Sequence, residues 1–134
     1  MKKYDNYCTH LRVLSHAGEQ DLNNDFIISG IIDKFFIQFE LGWKVLKELL
    51  LYEGIAAAKS GSPREIIKEA YRYYHSIDEK TWLSMLAQRN NIAHIYDKNA
   101  ARVLVHEILG TYLSAFAALQ AELEQRYGEE LREL

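Results

Sequence analysis

Residues 89–97 read RNNIAHIYD, where Arg89, Asn90, Asn91, His94, Tyr96 and Asp97 crowd around only Ile92, Ala93 and Ile95. These residue types suit phosphodiester chemistry. Arginine keeps its charge and offers a fixed fork of donors to a phosphate. Histidine removes or supplies a proton near neutral pH. Cleaving RNA needs a base for the 2′-hydroxyl, an acid for the leaving oxygen and a cation for the transition-state charge, so the route requires no metal and no other cofactor. Asn90 could orient His94 or the phosphate, and Tyr96 could stack on a base or present its hydroxyl. A structural reading accounts for the same residues. Asp97 could cap a following helix, Tyr96 could bury its ring with the hydroxyl at the surface, and the remainder could be a solvated helix end. Composition alone leaves both readings open.

Helical geometry adds a constraint. On a straight helix Arg89, Ala93 and Tyr96 share one face, while Asn90, His94 and Asp97 share a neighbouring one. Five steps of 100° place His94 about 140° around from Arg89. The two converge on one ligand only if the helix distorts or a second copy of the stretch faces the first. A two-fold dimer would line one cleft with two arginines and two histidines.

The elements that must hold this stretch are helical, because the chain has one proline, seven glycines and little β-branched alternation. Five helices are expected. The first runs over about residues 2–20 with Tyr4, Cys8, Leu11, Val13 and Leu14 on one face. The polar DLNND at 21–25 breaks it, and Asn24 or Asp25 caps a long second helix over about 26–53. Phe26, Ile31, Phe35, Phe39, Trp43, Leu46 and Leu50 mark its apolar face, and Gly54 ends it in the manner of a left-handed cap. Ser62, Pro63 and Glu65 give the start signal of a third helix over about 63–74. Asp78 caps a fourth, with Trp82, Met85, Leu86 and Arg89 at helical spacing. A fifth spans about 99–127 through Val103, Ile108, Tyr112, Phe116, Leu119 and Leu123 to Gly128. The fold class is all-α: a single-domain antiparallel up-and-down bundle.

Phe35, Phe36, Ile37 and Phe39 put apolar surface on more than one face of the second helix, and Ala115, Phe116, Ala117 and Ala118 do so on the last. Either a thick core or a homodimer interface would absorb it. The 134 residues suit one domain, and 49% hydrophobic against 26% charged residues is the mix of a soluble globular protein. A net charge of −3 gives no global attraction to nucleic acid, so any RNA contact needs a local basic patch. Cys8 is the single cysteine, no Cys/His spacing suggests zinc, and Asp33, Lys34, Glu40 and Lys44 interrupt the greasiest segment. With no signal-like start, a cytoplasmic protein without a membrane association is the expectation.

Arg89-Asn-Asn-Ile-Ala-His94-Ile-Tyr96 has the form R-x-x-x-x-H-x-Y and resembles the motif of HEPN-domain proteins. The whole chain is similar to the small nucleotidyltransferase substrate-binding proteins. The likeness lies in Glu40-Leu-Gly-Trp43-Lys44, Ser62-Pro-Arg-Glu-Ile, Glu69-Ala70, Asp78, Trp82-Leu-Ser-Met85 and the motif, in order over about residues 25–120. This resemblance implies a homodimer with the motif helices lining a cleft, and a partner that is a minimal nucleotidyltransferase. In related toxin–antitoxin pairs the HEPN subunit is a metal-independent ribonuclease, silenced when the partner adds AMP to the motif tyrosine. Carried over, Arg89 and His94 would be catalytic, Asn90 supporting, and Tyr96 the site of modification. Asn91, Asp97 and Glu40 would border the nucleotide or RNA. The older family name implies a subunit that presents nucleotide or substrate without turnover. The chain departs from the family pattern at Phe36, often acidic, and at Asn24, often arginine.

Other residues carry weaker signals. Glu40 and Lys44 form an i, i+4 pair, read either as a solvent-exposed ion pair or as the cleft's edge. Trp82 lies two turns before Arg89 and reads as core. His10, His16, His75 and His106 have no metal-type spacing. The third helix combines Arg64, Lys68 and Arg72 with Tyr71, Tyr73 and Tyr74, a surface for RNA or a protein if the rings do not pack inward.

Overall fold

The protein is described from a computed structural model, over residues 1–92 and 97–134. Helix α1 (Lys2–Leu14) leads through a 3₁₀ turn to α2 (Asp25–Tyr52), followed by α3 (Pro63–Tyr73) and α4 (Glu79–Asn90). Next come α5 (Lys98–Glu107), a π-helical turn (Ile108–Tyr112), α6 (Leu113–Tyr127) and a terminal turn α7 (Glu130–Glu133). The described residues form no strand, and the class is all-α as the periodicity requires.

The starts and stops are those the side chains dictate. Asn24 accepts hydrogen bonds from the backbone N–H of Phe26 and Ile27, Ser62 from Glu65, Asp78 from Thr81, and Asp97 from Asn99. Pro63 occupies the first turn of α3, where its missing N–H costs nothing. Gly54 (φ 81°) and Gly128 (φ 55°) follow the ends of α2 and α6 in a backbone region that side chains disfavour.

Helix α2 is the axis of the bundle. It buries Ile28, Ile31, Ile32, Phe35, Phe39, Val45, Leu46, Leu49 and Leu50 against the other helices. Helix α1 lies antiparallel to it, since Lys3 pairs with Glu48 and His10 meets Gln38. The buried Gln38 amide donates to the Tyr7 carbonyl, which fixes the register between the two. Along the α5–α6 run the direction matches α2. Asp25 meets Lys98 and Arg102 at one end, and the rings of Tyr52 and Tyr127 meet at the other. The run Lys98–Tyr127 is long and apolar enough to cross a membrane by composition. Its large side chains from Leu104 to Leu123 instead pack into the core of the bundle.

Three expected core residues lie outside it, each for a geometric reason. Phe26 is 89% exposed because it sits two residues, about 200°, from the buried Ile28. Val103 is 60% exposed because the α-helical predecessor of buried Ile108 is Leu104, four residues back, rather than Val103. Val13 is exposed beside buried Leu14, whereas Tyr7 is fully buried. The first helix stops at Leu14, short of residue 20. The excess apolar surface is mostly core: Phe35, Phe39 and Phe116 are fully buried and Phe36 half-buried, leaving Ile37, Ala117 and Ala118 outside. At the end of α3, Tyr71 is exposed and Tyr73 half-buried, while Tyr74, the residue after the helix, is buried.

The connection between α3 and α4 is fastened to α6 by one carboxylate. Glu122 accepts from the N–H groups of His75 (2.9 Å) and Ser76 (2.7 Å) and pairs with Arg126 at 3.4 Å. Arg126 stacks over Tyr73 and Tyr74 and donates to the Tyr73 carbonyl. Burial alone would raise the Glu122 carboxyl, but the donors of Ser76 and His75 and the Arg126 charge together hold it below its ordinary 4.5. A depressed folded-state value contributes stability above the ordinary value and loses it as pH falls through the folded one. Glu122→Gln should cost about 1–2 kcal/mol at neutral pH. Urea unfolding of the two proteins from neutral pH down to about pH 3 should show that difference shrinking as the wild-type carboxylate is protonated.

Candidate functional site

Two helices supply the described part of the site. Helix α2 presents Glu40 and α4 presents Arg89, one residue before the last of α4. Arg89 Nε lies 2.8 Å from Glu40 Oε1, with the guanidinium side chain 38% exposed. The other carboxylate oxygen of Glu40 accepts from the Trp43 indole N–H at 3.0 Å and lies 3.9 Å from Lys44 Nζ. Arg89 Nη1 donates to the Asn90 side-chain oxygen at 3.3 Å. Among the described residues, Nη2 makes no hydrogen bond or ion pair.

Glu40 Oε1 is itself buried and meets Arg89 as a charge contact rather than an aligned hydrogen bond. Both side chains are nevertheless partly exposed, and such a pair contributes about 1 kcal/mol. Its consequence is orientation. A guanidinium held through Nε keeps terminal donors for a second anion, and one carboxylate between an arginine and a lysine leaves a local charge of +1. The three side chains thus form a small locally positive spot on a chain of net charge −3. Glu40 thus pairs more closely with Arg89 on the neighbouring helix than with Lys44 one turn along its own.

The regular helix stops at Asn90, with Asn91 as its C-cap, so α-helical spacing cannot be carried from Arg89 to His94. Asn91 is exposed and its backbone N–H returns to Ala87 and Gln88. Asp97 spends its side chain capping α5, the structural role open to it in the sequence. His94 and Tyr96 lie outside the described residues. Both flanks of their segment are tied to α2, by Arg89 to Glu40 on one side and by Lys98 and Arg102 to Asp25 (3.5 and 3.6 Å) on the other. Asn24, where the family pattern often has arginine, serves as the N-cap of α2.

Sequence reasoning placed Trp82 in the core, where it is fully buried, but missed three contacts. Trp82 packs against the bare Cα of Gly42, two residues beyond Glu40. Ser84 on α4 shares a 2.7 Å hydrogen bond with Tyr112, the residue that closes the π-helical turn. Arg102 donates to the Leu22 carbonyl as well as pairing with Asp25. A glycine in mid-helix was the one visible signal. Among the described residues no group of three or more His, Cys, Asp or Glu side chains could hold a metal.

Residues 1–125 match the family described as nucleotidyltransferase substrate binding protein like. Over 104 residues the chain is 30% identical to the probable ribonuclease HepT of Haemophilus influenzae, covering 76% of this chain and 70% of that protein. With the match running through every helix that positions Glu40 and Arg89, the chain belongs to the nucleotidyltransferase substrate-binding-protein-like family.

Proposed function

We propose that this protein is the HEPN-type partner subunit of a small nucleotidyltransferase and a metal-independent ribonuclease, with Arg89 and His94 as its catalytic residues. The observation that carries the reading is the Arg89–Glu40 pair. It holds the guanidinium by one edge and leaves terminal donors for a phosphate, five residues before a histidine. The relative named a probable ribonuclease supports the same chemistry.

In this reading a neutral His94 takes the 2′-hydroxyl proton while the 2′-oxygen bonds to phosphorus. The P–O5′ bond breaks, and the leaving oxygen takes a proton from a second imidazole in its protonated form. Arg89 offsets the charge that builds on the phosphoryl oxygens. Products are a 2′,3′-cyclic phosphate and a 5′-hydroxyl. The second imidazole comes from a second copy of the chain. Phe26, Gly30, Asp33, Ile37, Glu40 and Lys44 follow one another at alternating spacings of four and three on α2, the pattern of a helix–helix seam. Phe26 and Ile37, 89% and 50% exposed, are its apolar members. The seam leads to Glu40, so a two-fold axis across it brings two Arg89 side chains together.

Regulation follows from the partner. The transferase directs the Tyr96 hydroxyl onto the α-phosphate of ATP, joining AMP to the oxygen and releasing pyrophosphate. The family description favours a second reading, in which the dimer presents nucleotide or substrate to the transferase without turnover.

Expression of the chain alone should arrest growth, while Arg89→Ala and His94→Ala should each restore it. Equal growth in all three cultures would favour the non-catalytic reading. After co-expression with the transferase, intact mass should rise by one AMP and fail to do so in Tyr96→Phe. An unchanged mass for the parent chain removes that step. Light scattering should give a dimer that Ile37→Asp weakens at least about tenfold, since an unpaired carboxylate would enter the seam. A dimer indifferent to the substitution would have to form elsewhere.

A further inference from the structure

We infer that Gly42 is a positioning residue for Arg89, acting through Trp82. The inference rests on the reading of Arg89 as the phosphate-binding group. A Cβ placed on Gly42 would lie 2.9 and 3.2 Å from two carbons of the Trp82 benzo ring, and 3.3 Å from the Tyr7 ring on α1. Neither ring can swing aside, because both are fully buried: Trp82 lies against Phe39 and Phe116, and Tyr7 is hydrogen-bonded to the Phe116 carbonyl.

The bare glycine therefore sets how closely α4 approaches α2. Gly42 is two residues from Glu40, and Trp82 is two helical turns before Arg89 on the same face of α4. Farther along α4, Ser84 is held by the Tyr112 hydroxyl. These buried contacts place the end of α4, and the 2.8 Å Arg89–Glu40 pair is made where they bring it. The ion pair itself is too weak to draw two helices together against packing. Adding one methyl group at Gly42 would move α4 and lengthen the pair, with no change in any charged residue.

The test follows the Arg89 Nε–Hε cross-peak by NMR on the full chain, assigned by its loss in Arg89→Lys, with hydrogen exchange as the readout. Gly42→Ala should speed exchange by about fivefold, as expected for loss of a partly exposed ion pair. Trp82→Phe, which removes the ring atoms facing Gly42, should speed it comparably. The double variant should return exchange to within about twofold of the parent, because the methyl fills the vacated space. Independent damage at two sites would add instead. Unchanged exchange in a folded Gly42→Ala, exchange in the double variant no slower than in Trp82→Phe, or a double variant that fails to fold would each overturn the inference. RNA cleavage measured on the same samples is a separate readout. A parent chain without cleavage would count against the ribonuclease reading and leave the positional result standing.

Discussion

Burial of α2 on several sides is the constraint from which the rest of the structure follows. Its apolar residues meet α1, α3, α4 and α5, and Phe35 reaches Tyr112 and Phe116 beyond them. A helix so enclosed has one narrow strip left for solvent, and that strip carries Glu40 and Lys44. The charged residues that bear on the site are thus confined to one line by packing. Fully burying a single Phe or Leu side chain contributes about 1.5–3 kcal/mol, more than the ion pair that forms on the exposed strip.

That ordering of magnitudes explains how the site is assembled. Weak, solvent-screened pairs cannot position helices; they can orient a side chain once the helices are placed. Trp82 against Gly42 and Ser84 against Tyr112 fix α4, and Glu40 then engages one edge of Arg89. At the other flank Asp25 receives Lys98 and Arg102, next to the cap that starts α5. Arg89 before residues 93–96, and Lys98 and Arg102 after them, are thus both tied to the same helix. The π-helical turn at Ile108–Tyr112 belongs to this arrangement, since Tyr112 closes it and carries the hydroxyl that meets Ser84. Such turns recur at functional sites, where one extra residue re-aims a side chain.

The parts legible in the sequence are those governed by neighbours in the chain. Asn24, Ser62, Asp78 and Asp97 announced their caps, and Gly54 and Gly128 their terminations, because these interactions close within four residues. Phe26 was misplaced because an apolar residue near a helix end fits the stripe loosely, and its burial depends on whether another element covers it. Val103 was misplaced because it stands five residues before Ile108, one off the buried stripe. The pairing of Glu40 with Arg89 was not legible: the family likeness suggested only that Glu40 borders the site. Nothing local joins residues forty-nine positions apart.

By itself, then, the sequence determined that the chain is helical, where most helices begin and end, and which residue types are present for phosphate chemistry. Those properties follow from backbone hydrogen bonding and side-chain type within a turn or two. Only the tertiary structure decided which carboxylate meets Arg89, which glycine sets the helix separation, and which apolar side chains stay exposed. Each depends on the distance between helices, and that distance is set by the shapes of large side chains brought together from remote positions in the chain.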